Sequence, residues 1–230
     1  QNPLNFVNNF SDLSCELLEE FEQELQGVED EKREELTKLV ELVKANCQHI
    51  REHGRRATSI VSAMVMHSRS GHSTPDHIAL NELVDEFVML SYHGVRLQFP
   101  QFQLELQRNY DEAVGNISVL AQDLSRAIVN ICNNAWEAAI LKAAEQGPGA
   151  VPTVHVRSLK VDDTVHILIR DNGPGIDTAV QERIFEPFFT TKRNSRNAGL
   201  GLSMSYEIVT QLHRGDLSVR SETGKFTEFD

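Results

Sequence analysis

Asn130 and Asn134 stand four residues apart in "NICNNAWEA", a spacing that puts both amides on one face of a helix. Amide oxygens can join water and phosphate oxygens around Mg2+, although capping or helix packing uses the same residues. Three more stretches offer complementary chemistry. In "DNGPGI", Asp171 ends an apolar strand where its carboxylate can accept from an exocyclic amine, and Gly173 and Gly175 let backbone approach a flat ligand; alone, the stretch also reads as a turn. "IFEPFFTTK" carries aromatics into a loop and ends on Lys192, a cation able to reach a phosphate. "GLGLS" opens a helix at Gly199 whose free N–H groups can hold phosphate oxygens. It is neither a Walker loop nor a GxGxxG fingerprint.

The elements that must position these residues follow from periodicity. Apolar residues at Phe6, Phe10, Leu13, Leu17 and Phe21 make one amphipathic helix from Pro3 to about Gln26, and "GVED" breaks it. In the second helix, Leu36, Val43, Ile50, Ala57 and Met64 recur every seven residues, and so do Val40, Cys47, Gly54 and Val61. A hairpin with that much apolar face predicts a homodimeric four-helix bundle, with packing against the rest of the chain as the alternative. "SRSGHSTPDH" reads as a linker. After it, "LNELVDEFVMLSYHG" predicts a helix ending at Gly94, "FQLELQR" and "NISVLA" predict strands, and a helix runs from about Gln122 to Gln146. "VPTVHVRSLK" and "TVHILIRD" are strands joined at "VDD", then come a helix from about Gly199 to His213 and the strands "DLSVRSE" and "KFTEFD". The fold class is α+β, an antiparallel sheet under one helical layer.

Composition narrows the partners. A formal charge of -12 and a pI near 5.2 oppose a phosphate backbone, so no nucleic-acid partner is expected and a phosphate ligand needs a metal ion. Cys15, Cys47 and Cys132 are odd in number and far apart in sequence, which reads as reduced, buried thiols in a cytoplasmic compartment. No apolar run approaches the roughly 20 residues of a membrane span, so this portion is expected to be soluble.

In order and spacing together, these stretches resemble the catalytic core of sensor histidine kinases over nearly the whole chain. "NICNNAWEA" resembles the N box, "DNGPGI" the G1 box, "IFEPFFTTK" the F box, "GLGLS" the end of the G2 box and "GDLSVRSETG" the G3 region. The resemblance implies a dimerisation and phosphotransfer hairpin (residues 1–70), a linker (71–78) and the ATP-binding sandwich shared with gyrase, Hsp90 and MutL (79–230). It implies ATP and Mg2+ as ligands, a homodimer, a response regulator as partner, a cytoplasmic location, and membrane attachment only through an upstream region, if any. By position it makes Asn134 the Mg2+ ligand and puts Asn130 near the phosphates. It assigns Asp171 to the adenine amine, with Gly173, Gly175 and Ile176 shaping that end. Phe189, Thr191, Lys192 and Arg193 belong to a lid from about Asp177 to Ala198, with the two cations at the terminal phosphates. Gly199, Leu200, Gly201 and Leu202 approach the phosphate chain.

The family's phosphoacceptor lies in His-Glu-x-x-Asn/Thr-Pro. Aligning Asn2-Pro3 with that Asn-Pro places the histidine three residues before Gln1, leaving Asn2 as a candidate for orienting a dephosphorylating water or, equally, as a helix cap. The sequence departs from the family at four usual glycines, now Ser195, Asn197, Arg214 and Phe226, which puts nucleotide affinity and lid closure in question. Two rivals follow. One is a non-catalytic dimeric scaffold with a degenerate ATP fold. The other is an ATP hydrolase, against which stands Asn130, at the position where those relatives carry a water-activating Glu.

Overall fold

The computed structural model describes residues 3–24, 30–69, 74–191 and 199–230. Asn2, Lys192, Arg193, Ser195 and Asn197 lie outside the described residues. The chain divides into two compact units, one built on the N-terminal helices and one holding residues 70–189 and 199–230.

In the first unit, α1 (Pro3–Glu24) and α2 (Asp30–Arg69) pack together as a hairpin. The two heptad seams of α2 part company. Val40, Cys47 and Gly54 are buried, and Ser11 of α1 donates to the Cys47 carbonyl, so this part of the seam faces α1, whereas Val61 farther along is 43% exposed. Val43 and Ile50 of the other seam are 44% and 50% exposed, as are Phe10 (64%) and Leu17 (56%) of α1.

The second unit is a mixed helix and sheet fold. β1 (Asp76–Ala79) leads directly into α3 (Leu80–Gln98), then β2 (Glu105–Tyr110), β3 (Asn116–Val119) and α4 (Ala121–Gln146). β4 (Thr153–Val161), β5 (Thr164–Asp171), the short α5 (Thr178–Gln181), α6 (Gly201–Glu207) with a π-helical turn Ile208–Leu212, β6 (Val219–Glu222) and β7 (Phe226–Phe229) complete it. Five strands form one sheet in the order β2-β4-β5-β7-β6, and β1 pairs with β3 apart from it. Alternation aims one sheet face at the helices: Val154 and Val156 of β4 sit opposite Asp171 and Ile169 of β5, and Phe229 of β7 opposite Ile169. All are buried beneath α4, whose Trp136 and Cys132 are fully enclosed. Covering one face of the sheet with apolar residues of α3 and α4 supplies the driving force for this unit.

Three expectations need correcting. The helix expected to end at Gly94 runs on to Gln98, because Val95 is buried and the full extra turn outweighs the roughly 1 kcal/mol cost of a helical glycine; Pro100 stops it. The sheet is not wholly antiparallel, since β2 and β4 run parallel. The chain between them crosses over through α4, which is what a parallel pair requires. Asp76–Ala79, in a stretch that reads as linker, is a strand paired with Asn116–Val119.

Two of the replaced glycines can be placed. Phe226 opens β7 with the Arg170 guanidinium 3.7 Å from its ring centroid, a stacking that gives the large side chain a place on the sheet. Arg214 takes a left-handed φ of 55°, which costs a non-glycine residue about 1 kcal/mol. Beside it, His213 accepts from the Leu120 N–H through Nε2 and contacts the Ile208 carbonyl through Nδ1. That pair of contacts fits the neutral imidazole with its proton on Nδ1, linking the start of α4 to the π turn.

Candidate functional site

One ridge of α4 organises the site. Asn130, Asn134, Ala138 and Lys142 recur every fourth residue, so they lie along one row of side chains about 18 Å long. Each meets a different piece of the glycine-rich sequence or stands ready for a ligand.

At the N-terminal end of the ridge, Asn130 Nδ2 donates to Ser205 Oγ at 2.9 Å, and Ser205 is fully buried on α6. A Cβ on Gly201 would fall 2.9 Å from Asn130 Nδ2, so the start of α6 packs closely on this amide, and a larger residue there would require the Asn130 side chain to shift. Gly199, with φ 70°, packs its backbone on that of Phe188 and Phe189, 2.7 Å from the Phe189 carbonyl oxygen if it carried a Cβ. The two described ends of the lid stretch therefore meet. Leu200 is buried and Leu202 packs on the core.

Asn134 is half-buried, and nothing among the described residues hydrogen-bonds to its amide. Among the described residues there is also no cluster of three His, Cys, Asp or Glu side chains able to hold an ion. A divalent cation at Asn134 would take its remaining ligands from phosphate oxygens and water, the coordination Mg2+ prefers.

At the C-terminal end, Asp171 is 2% exposed at the end of β5. It accepts from the Gly173 N–H at 2.7 Å and from the Thr227 backbone. Burial pushes its pKa up to about 7, against the pull of those N–H donors and the Lys142 charge. A Cβ on Gly173 would strike Ala138 Cβ at 2.8 Å, which is how the glycine loop lies flat on the α4 ridge. Ile176, whose N–H is held by Ser221 Oγ at 2.8 Å, packs against the core.

Lys142 was not legible as a site residue. Its ammonium donates to the carbonyls of Asn172 (2.9 Å) and Gly173 (3.2 Å) in the glycine loop, and of Gly224 (2.9 Å) and Lys225 (3.4 Å) in the β6–β7 turn. One charge thus clamps two loops that border Asp171. Lys142→Met keeps the aliphatic stem and removes these charge-assisted bonds, each of the order of 1.5–3 kcal/mol at most. The expected result is roughly tenfold weaker nucleotide binding by calorimetry, with a melting temperature lowered by only a few degrees.

The first part of the expected lid is packed, not free. Asp177 caps α5 through the Ala179 N–H, Ile184 is 6% exposed, and Phe185 lies against Tyr206 and Phe229 with centroids 5.0 and 6.4 Å away. Phe189 is half-buried with Arg183 over its ring at 4.5 Å, while Phe188 and Thr191 are exposed. Phe188 holds φ 66°, an outlier for a bulky residue. The structure thus brings Asn130, Asp171, Gly173, Gly175, Ile176, Gly199, Gly201 and Phe189 into one arrangement with α4. Among the described residues it gives Asn134 no hydrogen-bond partner. Ser205 and Lys142 complete it from positions outside the motifs.

Residues 120–230 match the family described as histidine kinase-, DNA gyrase B-, and HSP90-like ATPase. The chain is 32% identical to the sensor kinase CckA of Brucella abortus over 79% of its own length and 19% of that protein's. It is 30% identical to the signal transduction histidine-protein kinase AtoS of Escherichia coli, over 72% of the chain and 25% of the relative. It therefore spans about a fifth to a quarter of the length of these relatives. Among solved structures, the catalytic domain of histidine kinase ThkA covers 67% of the chain and 93% of its own, at 24% identity and a TM-score of 0.54.

Proposed function

The chain carries the ATP-binding core of a sensor histidine kinase, and from that premise we propose that the protein transfers the γ-phosphoryl group of ATP to a histidine of its own and then to an aspartate of a response regulator. The Asn2-Pro3 register puts that histidine three residues before Gln1. The observation that carries the reading is the α4 ridge, which lines up Asn130, an Asn134 amide that no described residue hydrogen-bonds, and the glycine loop beside the buried Asp171 carboxylate.

The chemistry supplied by bound Mg2+ is charge neutralisation on the phosphates as the leaving oxygen develops. The residues of the chain do the positioning. Asp171 accepts the exocyclic amine of adenine, and Gly173, Gly175 and Ile176 form the wall against which a flat base lies. Lys142 holds that wall to the β6–β7 turn. Asn134 supplies one oxygen to the cation, and Ser205 fixes the neighbouring Asn130 amide. Lys192 and Arg193 are assigned to the terminal phosphates, Thr191 and Phe189 to the lid, and Gly199 to Leu202 to the phosphate chain, all by family position. Phosphoryl transfer asks for positioning and electrostatics more than for a protein base, and Asn130 stands where a hydrolase would need a water-activating Glu.

Residues 1–70 serve in this reading as the dimerisation and phosphotransfer hairpin, 71–78 as linker and 79–230 as catalytic domain, in the cytoplasm. The exposure of Val43 and Ile50 on α2 and of Phe10 and Leu17 on α1 supports a homodimer by offering apolar surface that the hairpin itself leaves uncovered. No described helix is long and apolar enough to cross a membrane. Asn2 is the candidate for orienting a water that dephosphorylates the regulator.

The test extends the chain upstream to include the histidine and supplies ATP labelled in the γ position with Mg2+. Acid-labile label is expected, lost in Asn134→Ala and in the histidine variant. Nucleotide bound without label on the extended chain would overturn the kinase reading in favour of the scaffold.

A further inference from the structure

Two thiols that neither the nucleotide site nor the exposed seam uses come together inside the helical hairpin. Cys15 of α1 lies beside Cys47 of α2, near enough for the two sulfurs to interact. Contacts on both sides fix this pairing. Ser11, one turn before Cys15, donates through Oγ to the Cys47 carbonyl, and Arg51, one turn after Cys47, binds Asp12 at 3.1 Å. The same turns of the two helices are thus aligned by two separate contacts. Cys47 is 8% exposed, whereas Cys15 is only partly covered and open to a small oxidant.

We propose that Cys15 and Cys47 are a redox pair that closes to an intrachain disulfide under peroxide and so staples α1 to α2. Cys15 sulfur, as thiolate, attacks one peroxide oxygen, the O–O bond breaks, and Cys15 becomes a sulfenic acid while hydroxide leaves and is protonated to water. Cys47 sulfur then attacks the Cys15 sulfur, the S–O bond breaks, and its oxygen departs with the thiol proton as a second water. Two thiols and one peroxide give one disulfide and two waters. The two electrons leave the sulfurs and reduce the peroxide.

The surroundings set the rate. Burial, then the Cys47 sulfur, hold the Cys15 thiol above its ordinary range; Asp12 adds to this and Arg51 opposes it. Little thiolate is present at neutral pH, so closure is slow there and quickens as the pH rises. Cys132 is an internal control. It is fully buried on α4 with its pKa pushed up to about 12, and no described cysteine lies beside it.

The experiment treats the 230-residue chain with hydrogen peroxide, then denatures and alkylates it. Two of the three cysteines should escape alkylation, the mass should fall by two hydrogens, and one peptide should join Cys15 to Cys47. The product should run as a single chain on a non-reducing gel and revert with dithiothreitol. Cys15→Ser and Cys47→Ser should each abolish the mass loss, with helix content checked by circular dichroism. Three alkylated thiols, a disulfide between two chains, or sulfinic acid on Cys15 beside a free Cys47 would each overturn the proposal. The readout needs no nucleotide, so it stands or falls apart from the kinase reading.

Discussion

Asp171→Asn is expected to make the nucleotide-free protein more stable at pH 8 and, at the same time, to weaken nucleotide binding. The carboxyl is 2% exposed, and burial pushes its pKa from the model-peptide 3.8 up to about 7. An acid whose pKa is raised by folding holds its proton more tightly in the folded state, so its ionisation opposes folding. The penalty is absent below about pH 4, grows between pH 4 and 7, and is complete above that, on the order of 4 kcal/mol. Asparagine carries no charge to bury and keeps an oxygen for the Gly173 and Thr227 N–H groups. The variant should therefore match the parent below about pH 4 and exceed its melting temperature by several degrees at pH 8. Binding moves the other way. An amine donor needs the ionised carboxylate, whereas the asparagine amide meets either the ligand amine or a backbone N–H with a donor of its own. A loss of ten- to a hundredfold follows from a charge-assisted bond of about 1.5–3 kcal/mol. In the parent, affinity should be constant above about pH 7 and fall about tenfold per unit below it, since binding then requires a proton to leave. Equal melting of variant and parent at pH 8, or undiminished affinity, would remove Asp171 from the role given to it.

That coupling of lost stability to binding explains which parts of the site could be read from sequence. Asn130, Asp171, Gly173, Gly175, Gly199 and Gly201 are visible because each breaks a local rule: an amide in an apolar helix, an acid closing an apolar strand, glycines where backbone nearly touches. Lys142 and Ser205 break none. A lysine and a serine on helices are ordinary, and what makes them part of the site is a set of partners far away along the chain, such as Gly224 for Lys142 and Asn130 for Ser205. The same limit hid the Cys15 and Cys47 pairing, since two thiols distant in sequence become neighbours only when α1 folds onto α2. It also hid the parallel pairing of β2 with β4, a property of the crossover through α4 and not of either strand. The helix boundary at Gly94 failed for a different reason. Glycine's helical cost is small against one more buried valine, Val95.

Gly175→Ala is expected to cost far more than Gly224→Ala, although both glycines hold a left-handed φ, 71° and 80°. The backbone penalty for alanine in that region is about 1–2 kcal/mol at either position. Around Gly224 there is open space, so the penalty ends there. At Gly175 a methyl group would lie 2.7 Å from the Glu222 carbonyl carbon and 2.9 Å from Thr223 Cα, and neither is the yielding end of a side chain. Either the glycine loop or the β6–β7 turn must move, and they are bound to each other by the Gly224 N–H to Pro174 carbonyl bond of 2.6 Å and by the Lys142 clamp. Overpacking of this kind typically adds about 1–3 kcal/mol, so Gly175→Ala should lose about 2–5 kcal/mol in chemical denaturation. Because the displaced loop is the wall beside Asp171, nucleotide affinity measured on the protein that remains folded should fall at least tenfold, while Gly224→Ala should bind as the parent does. If the two variants lost stability equally, left-handed strain alone would account for Gly175, and the close packing of the loop on the turn would not be what shapes the base-binding wall.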